Sequence, residues 1–429
     1  MAPARAVAPG FSPLDDELGL LPGRLTPHLL ELLVRLGAWV PFAPAAELLT
    51  AFTAVACSAA TARRQTEAAG AVLVAAETAA APALAPPADP GPPTDEHRQI
   101  SADGAMIALT SGEWAEVRTV AVGRVTQESD PTGQRHAHAR EVSYFSRLTS
   151  AEEFTRLAVV ELHHRGVRAA AQVGAVNDGA LWVQRFVDYH CPGAVRILDP
   201  PHALEHIANC ARAVWGPTSA AVATWVAEQA HELLTHGPAG VLEAIRTLAA
   251  AHPEAPISED LAYLEARLGQ MDYPAFRAAG WPVGSGMVES ANKLVVEARL
   301  KGTGMRWARP HVNPLLGLRN AVCNDRWAAV WPRIAAGLRA QIHQAQRARH
   351  PAPPAALPPA SATEVRARVN AEIVAEVEAI LAQVSSELAA ERLRRAPVDG
   401  KPAASHPWRR TPLTTRTPSG SPPTSSAKG

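Results

Sequence analysis

The sequence predicts an α/β fold: a mixed sheet with flanking helices, an all-α insertion, and an N-terminal helical region. Three observations predict it. Between residues 99 and 200, period-two patterning and helical spacing alternate in the order β-β-β-α-β-α-β. That order calls for three antiparallel strands followed by parallel crossovers. From Pro201 to about Ala278 the chain is rich in Ala, Leu and Trp and poor in strand formers, and before residue 70 leucines recur at helical spacing.

Residues 1 to about 24, rich in Pro and Gly, read as irregular. Leu29 to Ala38 and Pro44 to Thr53 read as helices. After the turn Ala54-Val55-Ala56-Cys57-Ser58, a third helix runs from Ala59 to Glu67 with Ser58 as N-cap. Helix, short turn, helix, with Thr61, Arg63, Arg64 and Gln65 facing out, is a helix-turn-helix outline, which many three-helix bundles share. Arg63 and Arg64 are its candidate DNA contacts. Residues 71–98 turn to Ala and Pro, a linker composition.

Strands are expected at Gln99 to Leu109, Glu113 to Gly123 and Val142 to Phe145, the first two joined by the turn Ser111-Gly112. Ser150 and Glu153 form a capping box that opens a helix to about His164. Arg168 to Val176 is a fourth, buried strand ending at Asn177-Asp178-Gly179. A helix over Leu181 to Tyr189 and a fifth strand over Ala194 to Leu198, ending at Asp199, complete the set. After the helical insertion, Gly284-Ser285-Gly286 opens a helix with Glu289 in its first turn, and Gly302-Thr303-Gly304 closes it. Leu315 to Trp331 continues helical, and His350 to Pro359 is a Pro-rich break. Ser361 to Arg395 reads as one amphipathic helix striped by Val369, Ile373, Val377, Ile380, Val384 and Leu388. Residues 397–429 read as disordered.

Composition narrows the class. The 429 residues can form two or three domains, and the formal net charge is zero. No signal-peptide h-region opens the chain and no run reads as membrane-spanning. Cys57, Cys191, Cys210 and Cys323 lack paired-ligand spacing, so free thiols in a reducing cytoplasm are expected, without a structural zinc. From Lys293 to Arg349 eleven Lys and Arg face only Glu297 and Asp325. Such a segment suits phosphates, and a solvated helical face reads the same way.

Three carboxylates stand at chemically telling places: Asp103 in the first strand before Gly104, Asp178 at the end of the fourth before Gly179, and Glu289. Were strands one and four neighbours, the two aspartates would sit side by side, within reach of the Glu289 helix. Acids so gathered repel one another unless cations bind, and hard oxygen ligands suit Mg²⁺ or Mn²⁺. Two such ions would activate water and stabilise the leaving oxygen of a phosphodiester. Asp199 and His202, three apart at the end of strand five, form an auxiliary acid–histidine pair. His206 lies four residues beyond His202, a metal-ligand spacing more often met as surface coincidence.

At these residues the chain resembles insertion-sequence transposases of the ISKra4 family. The resemblance rests on Ser101-Ala102-Asp103-Gly104-Ala105, Asn177-Asp178-Gly179-Ala180-Leu181-Trp182 and Arg196-Ile197-Leu198-Asp199-Pro200-Pro201-His202-Ala203. It is strongest over residues 280–293 and 299–307, and it covers about residues 11 to 331. It implies a DDE transposase with an RNase H-like catalytic domain and Asp103, Asp178 and Glu289 as the triad, holding two Mg²⁺ or Mn²⁺ ions. Asp199 competes with Asp178 as second acid; Asp178 is preferred because strand four adjoins strand one in that fold. DNA, as element ends and target, is the implied partner of a homo-oligomer in the bacterial cytoplasm, at the nucleoid. Lys293, Arg299, Lys301 and Arg306 would contact phosphates, and Trp307 is a candidate for stacking on an unpaired base, against a core tryptophan. The cysteine-rich region usual upstream in the family has no counterpart here, so a truncated copy, acting as a non-catalytic DNA-binding remnant, is an alternative. A nuclease that cuts without joining is another. The expected layout is a helix-turn-helix-like region over 1–70, a linker over 71–98 and a catalytic core over 99–200 and 281–349. The insertion occupies 201–280, and a linker, helix and tail follow over 350–429.

Overall fold

The computed structural model describes residues 21, 25–86, 88–129, 133, 135–349 and 359–395. Two compact units are present, Met1–His350 and Pro351–Gly429. Expectations for residues 1–20, 350–358 and 397–429 lie outside the described residues.

In the first unit α1 (Pro27–Trp39), α2 (Phe42–Thr53) and α3 (Ala59–Leu84) precede the sheet. The sheet is β1 (His97–Ala108), β2 (Trp114–Ser129), β3 (Arg135–Arg147), β4 (Gln172–Asn177) and β5 (Val195–Leu198), in the order β3-β2-β1-β4-β5. β1, β2 and β3 pair antiparallel, and β4 and β5 join in parallel. The expected α/β class with a mixed sheet is therefore present. β2 and β3 run well beyond their expected ends as a long hairpin. Between β3 and β4 lies α4 (Ala151–His164), whose N-cap Ser150 accepts from Glu153 N as the capping box requires, and α5 (Leu181–His190) joins β4 to β5.

Alternation along β1 and β2 assigns the two faces of the sheet. Ile100, Ala102, Val120 and Val122 bury one face against Phe154, Leu157 and Phe186 of α4 and α5. The odd-numbered residues of β1, Asp103 among them, face the other way. There Ala121 of β2 packs on Val288 and Ala291 of α11 (Gly286–Ala291). The insertion holds α6 (Pro200–Trp215), α7 (Ala220–Thr235), α8 (Pro238–Ala251), α9 (Ser258–Glu265) and α10 (Tyr273–Ala278). These helices share one core with the ends of β4 and β5, through Val176, Ile197, Leu198, Ile207, Leu233, Ile245 and Leu264.

Two expectations are corrected. Residues 71–98 are not a linker throughout: α3 continues to Leu84, with Pro82 in its last turn. Ala and Pro content disguised it, but Val72, Leu73 and Ala81 are buried. Nor is the N-terminal region a separate domain. Leu30, Val34, Ala69 and Leu73 share a core with α12 (Arg309–Cys323) and α13 (Trp327–Arg349). By length and composition α3 could cross a membrane; here it packs against α12 and α13. In the second unit, α14 (Pro359–Arg395) exposes Ile373, Val377, Ile380 and Val384 of its expected stripe.

Candidate active site at the strand ends

The strand order places β4 beside β1, and it creates a switch point: from β1 the chain leaves to one side and returns to the other. In open sheets the crevice at such a point, beyond the carboxyl ends of the strands, is where ligands bind. The register then fixes which residues meet there. Asp103 and Asp178 each lie three residues beyond the paired Ile100 and Ala175. Asp178 and Asp199 each follow the paired Asn177 and Leu198. With neighbouring strands about 4.8 Å apart, the three aspartates form a row across β1, β4 and β5. At this level the pairing of β1 with β4 passes to a side chain, as Asn177 Oδ1 accepts from Ala102 N at 2.6 Å. The strands part there without leaving the Ala102 amide unpartnered.

Each acid is held differently. Asp103 accepts from Gly104 N at 2.6 Å through Oδ1 and from Asn292 Nδ2 at 2.9 Å through Oδ2. Burial pushes its carboxyl above the usual aspartate range, and the neighbouring Asp178 charge adds to the rise. Asp178 Oδ1 accepts from Ala180 N at 2.8 Å, closing an Asx turn. Asp199, only 1% exposed, caps two features at once. Its Oδ1 accepts from Ser285 N at 2.8 Å, and its Oδ2 lies 3.2 Å from His202 Nδ1. The hydrogen bond to Asp199 raises the His202 pKa above that of a free imidazole, with help from the Asp178 and Asp103 charges. Both Asp199 oxygens thus have partners, whereas one Asp178 oxygen is engaged in its Asx turn.

The helix carrying Glu289 is tied to the same strand ends through Ser285 and Asn292. Gly284-Ser285-Gly286 leads into α11, and the turn is pinned to the end of β5 by the Ser285–Asp199 bond. Ser285 Oγ lies 3.5 Å from Glu289 Oε1. Asn292, three residues on, lies on the same helical face as Glu289 and holds Asp103. Glu289 is thus bracketed by one residue tied to Asp199 and another tied to Asp103. Its side chain is exposed, and among the described residues no three His, Cys, Asp or Glu are gathered as a metal-binding group. The donor set still fits a hard cation. Asp103 and Asp178 supply two carboxylates whose charges oppose each other, and the Asn292 Oδ1 is buried beside them without a partner.

The basic segment is corrected in part. Arg299 is 1% exposed, donates to Gly37 O at 3.1 Å, and stacks over Phe42 and Trp307. Burial pulls its pKa down to about 10, and Arg319 beside it adds to the fall. Trp307, 9% exposed, donates Nε1 to Leu300 O at 3.0 Å. Neither presents a surface to DNA. Arg319 is equally buried, bonded to Ala38 O and to the Leu294 and Val295 carbonyls of a π-helical turn, Asn292–Glu297. These two arginines take the orphan carbonyls at the end of α1 and those loosened by the π turn. Charge counting could not tell them from solvated cations. Lys293 and Arg306 are exposed, as are Arg63 and Arg64 on the first turns of α3; Lys301 pairs with Glu297 at 2.6 Å. His206 pairs with Asp260 at 2.6 Å rather than with His202.

Asn177, Asn292, Tyr263, which donates to Asp178 O at 2.6 Å, and Arg267, which donates to Gly179 O at 2.8 Å, carry no role in the sequence reading, and Ser285 appears there only as part of a turn. Asn292 carried a signal, its i+3 spacing from Glu289. No protein-family model and no curated protein matches the chain.

Proposed function

We propose that the chain is a DDE transposase of a bacterial insertion sequence, with an RNase H-like core, acting as a homo-oligomer on DNA in the cytoplasm. The bracketing of Glu289 between Ser285, tied to Asp199, and Asn292, tied to Asp103, is the observation that carries this reading. The strand order supports it, because the second acid is required on a strand beside the first. Asp103 and Asp178 would hold Mg²⁺ or Mn²⁺, with Glu289 completing the set of acids. When bound, the two ions supply Lewis acidity, lowering the pKa of water and neutralising charge on the phosphodiester.

The chain's own groups do the remaining work. Asn292 fixes the Asp103 carboxylate, and the Asx turn fixes that of Asp178. His202, oriented by Asp199, keeps a positive charge to higher pH than a free histidine and so favours a phosphate nearby. Lys293 and Arg306 offer exposed charge to the DNA backbone beyond the site, and Arg63 and Arg64 offer it from α3. Water attacks phosphorus in line, the bond to the 3′ oxygen breaks, and the strand ends in a 3′-hydroxyl. That hydroxyl then attacks a target phosphodiester and displaces its 3′ oxygen.

Strand transfer is the step that separates a transposase from a nuclease. Labelled DNA carrying pre-cleaved element ends with free 3′-hydroxyls, incubated with the chain, Mg²⁺ and a target plasmid, should yield covalent joint molecules. Cleavage without joining would favour the nuclease, and absence of both would favour a DNA-binding remnant.

A further inference from the structure

A column of side chains links the insertion to the site. Tyr263, on α9, donates its hydroxyl to Asp178 O at 2.6 Å. Arg267, one turn beyond, donates to Gly179 O at 2.8 Å, and its guanidinium lies 3.7 Å from the Tyr263 ring centre. On the other face of that ring His206 of α6 stacks at 3.7 Å. His206 is itself held by Asp260 at 2.6 Å, which also accepts from Asn209.

The fit against the strand end is close. Gly179 has φ +79°, and a Cβ there would stand 2.3 Å from the Tyr263 hydroxyl and 2.8 Å from Arg267 Nε. Only glycine allows both that backbone conformation and that approach. Two consecutive carbonyls of the loop carrying Asp178 are therefore occupied by donors from α9 and the turn after it, 85 and 88 residues away in sequence. The ring face of Tyr263 is occupied too, so the hydroxyl has little freedom to leave.

We infer that the insertion is a positioning device for the second acid: Tyr263 and Arg267 clamp the Asp178–Gly179 main chain and so aim the Asp178 carboxylate at Asp103. The inference rests on the proposed metal-dependent site and assigns that site's geometry to the insertion. Tyr263 and Arg267 are positioning residues: they donate to the Asp178 and Gly179 main-chain carbonyls and not to the Asp178 carboxylate. The His206–Asp260 pair acts one step further back, holding the tyrosine ring flat. Loss of an outer contact of this kind lowers metal affinity by about 10- to 100-fold in metalloproteins generally.

The test uses the full chain and the variants Tyr263→Phe and Arg267→Met. Two readouts are taken on metal-free protein: amide hydrogen exchange over residues 177–181, and Mn²⁺ affinity by electron paramagnetic resonance. Expected are faster exchange at those amides and about 10-fold weaker Mn²⁺ binding in Tyr263→Phe, with thermal unfolding unchanged. Raising Mn²⁺ should then restore DNA cleavage, since the acids themselves are intact. Unchanged exchange and unchanged Mn²⁺ affinity in both variants would overturn the clamp. Should Tyr263→Phe fail to fold, Arg267→Met decides by the same two readouts. Failure of the wild-type chain to bind Mn²⁺ would overturn the metal site itself, and exchange would still report whether the clamp holds the loop.

Discussion

Asp103→Asn should lower DNA cleavage by on the order of 10³-fold or more, equivalent to about 4 kcal/mol of transition-state stabilisation. Asp178→Asn should do the same. The accompanying stability change has the opposite sign from that of most buried polar substitutions. In the metal-free chain the Asp103 carboxylate is raised by burial and by the Asp178 charge, so ionised Asp103 opposes folding at neutral pH. An amide removes that charge. It also finds partners, because Gly104 N can still donate to its oxygen. The Asn292 side chain, turned over, offers its unpartnered Oδ1 to the new NH₂ group. Asp103→Asn should therefore unfold at the same temperature as the wild type or higher while losing cleavage. A variant that melts early would make the loss of activity a folding effect; one that cleaves normally would remove Asp103 from the chemistry.

Gly70→Ala should destabilise the first unit by about 3 kcal/mol, near the upper end for overpacking. Within a helix, glycine is about 1 kcal/mol worse than alanine, so the same change on an exposed face would stabilise. Here the sign inverts because of what faces residue 70. A Cβ would stand 2.0 Å from Pro314 O and 2.5 Å from Pro314 C, which are main-chain atoms of α12. No rotamer change can relieve that contact, so α3 and α12 must separate. Their separation opens the core that Leu30, Leu73, Leu318 and Trp327 share. Gly193→Ala, where no atom comes within 4 Å of the new Cβ, is the control and should leave stability nearly unchanged. Chemical denaturation followed by circular dichroism reads both. A Gly70→Ala chain as stable as the wild type would mean that α3 does not cross α12 this closely.

Strands and their turns were legible because alternation, a capping box and Asp-Gly breaks each have a local cause. The α3 helix was legible only as far as Glu67. Its second half is built of alanine with Pro82 near the end, and Val72 and Leu73 became core through α12 and α13, some 250 residues away. That Asp103 and Asp178 lie level on neighbouring strands could be anticipated, since glycine beside an acid within a strand or at its end marks a local geometry. What holds them could not. Tyr263 sits in α9 and Arg267 just beyond its end, in a segment whose sequence shows no sign of the Asp178 loop. Arg299 and Arg319 read as surface charge until the π turn and the end of α1 supply carbonyls for them. Long-range side-chain to main-chain bonds leave no period or spacing in the sequence, and these bonds are what the structure adds.

The central claim, that Asp103 and Asp178 form one cation site, is tested most directly by Mn²⁺ titration of the metal-free full chain without DNA. The wild type should take up Mn²⁺, seen as loss of the free-ion paramagnetic resonance signal. The doubly substituted Asp103→Asn, Asp178→Asn chain, folded by circular dichroism, should take up none at the same concentrations. Equal uptake by both chains would contradict the claim and move any bound ion elsewhere in the molecule.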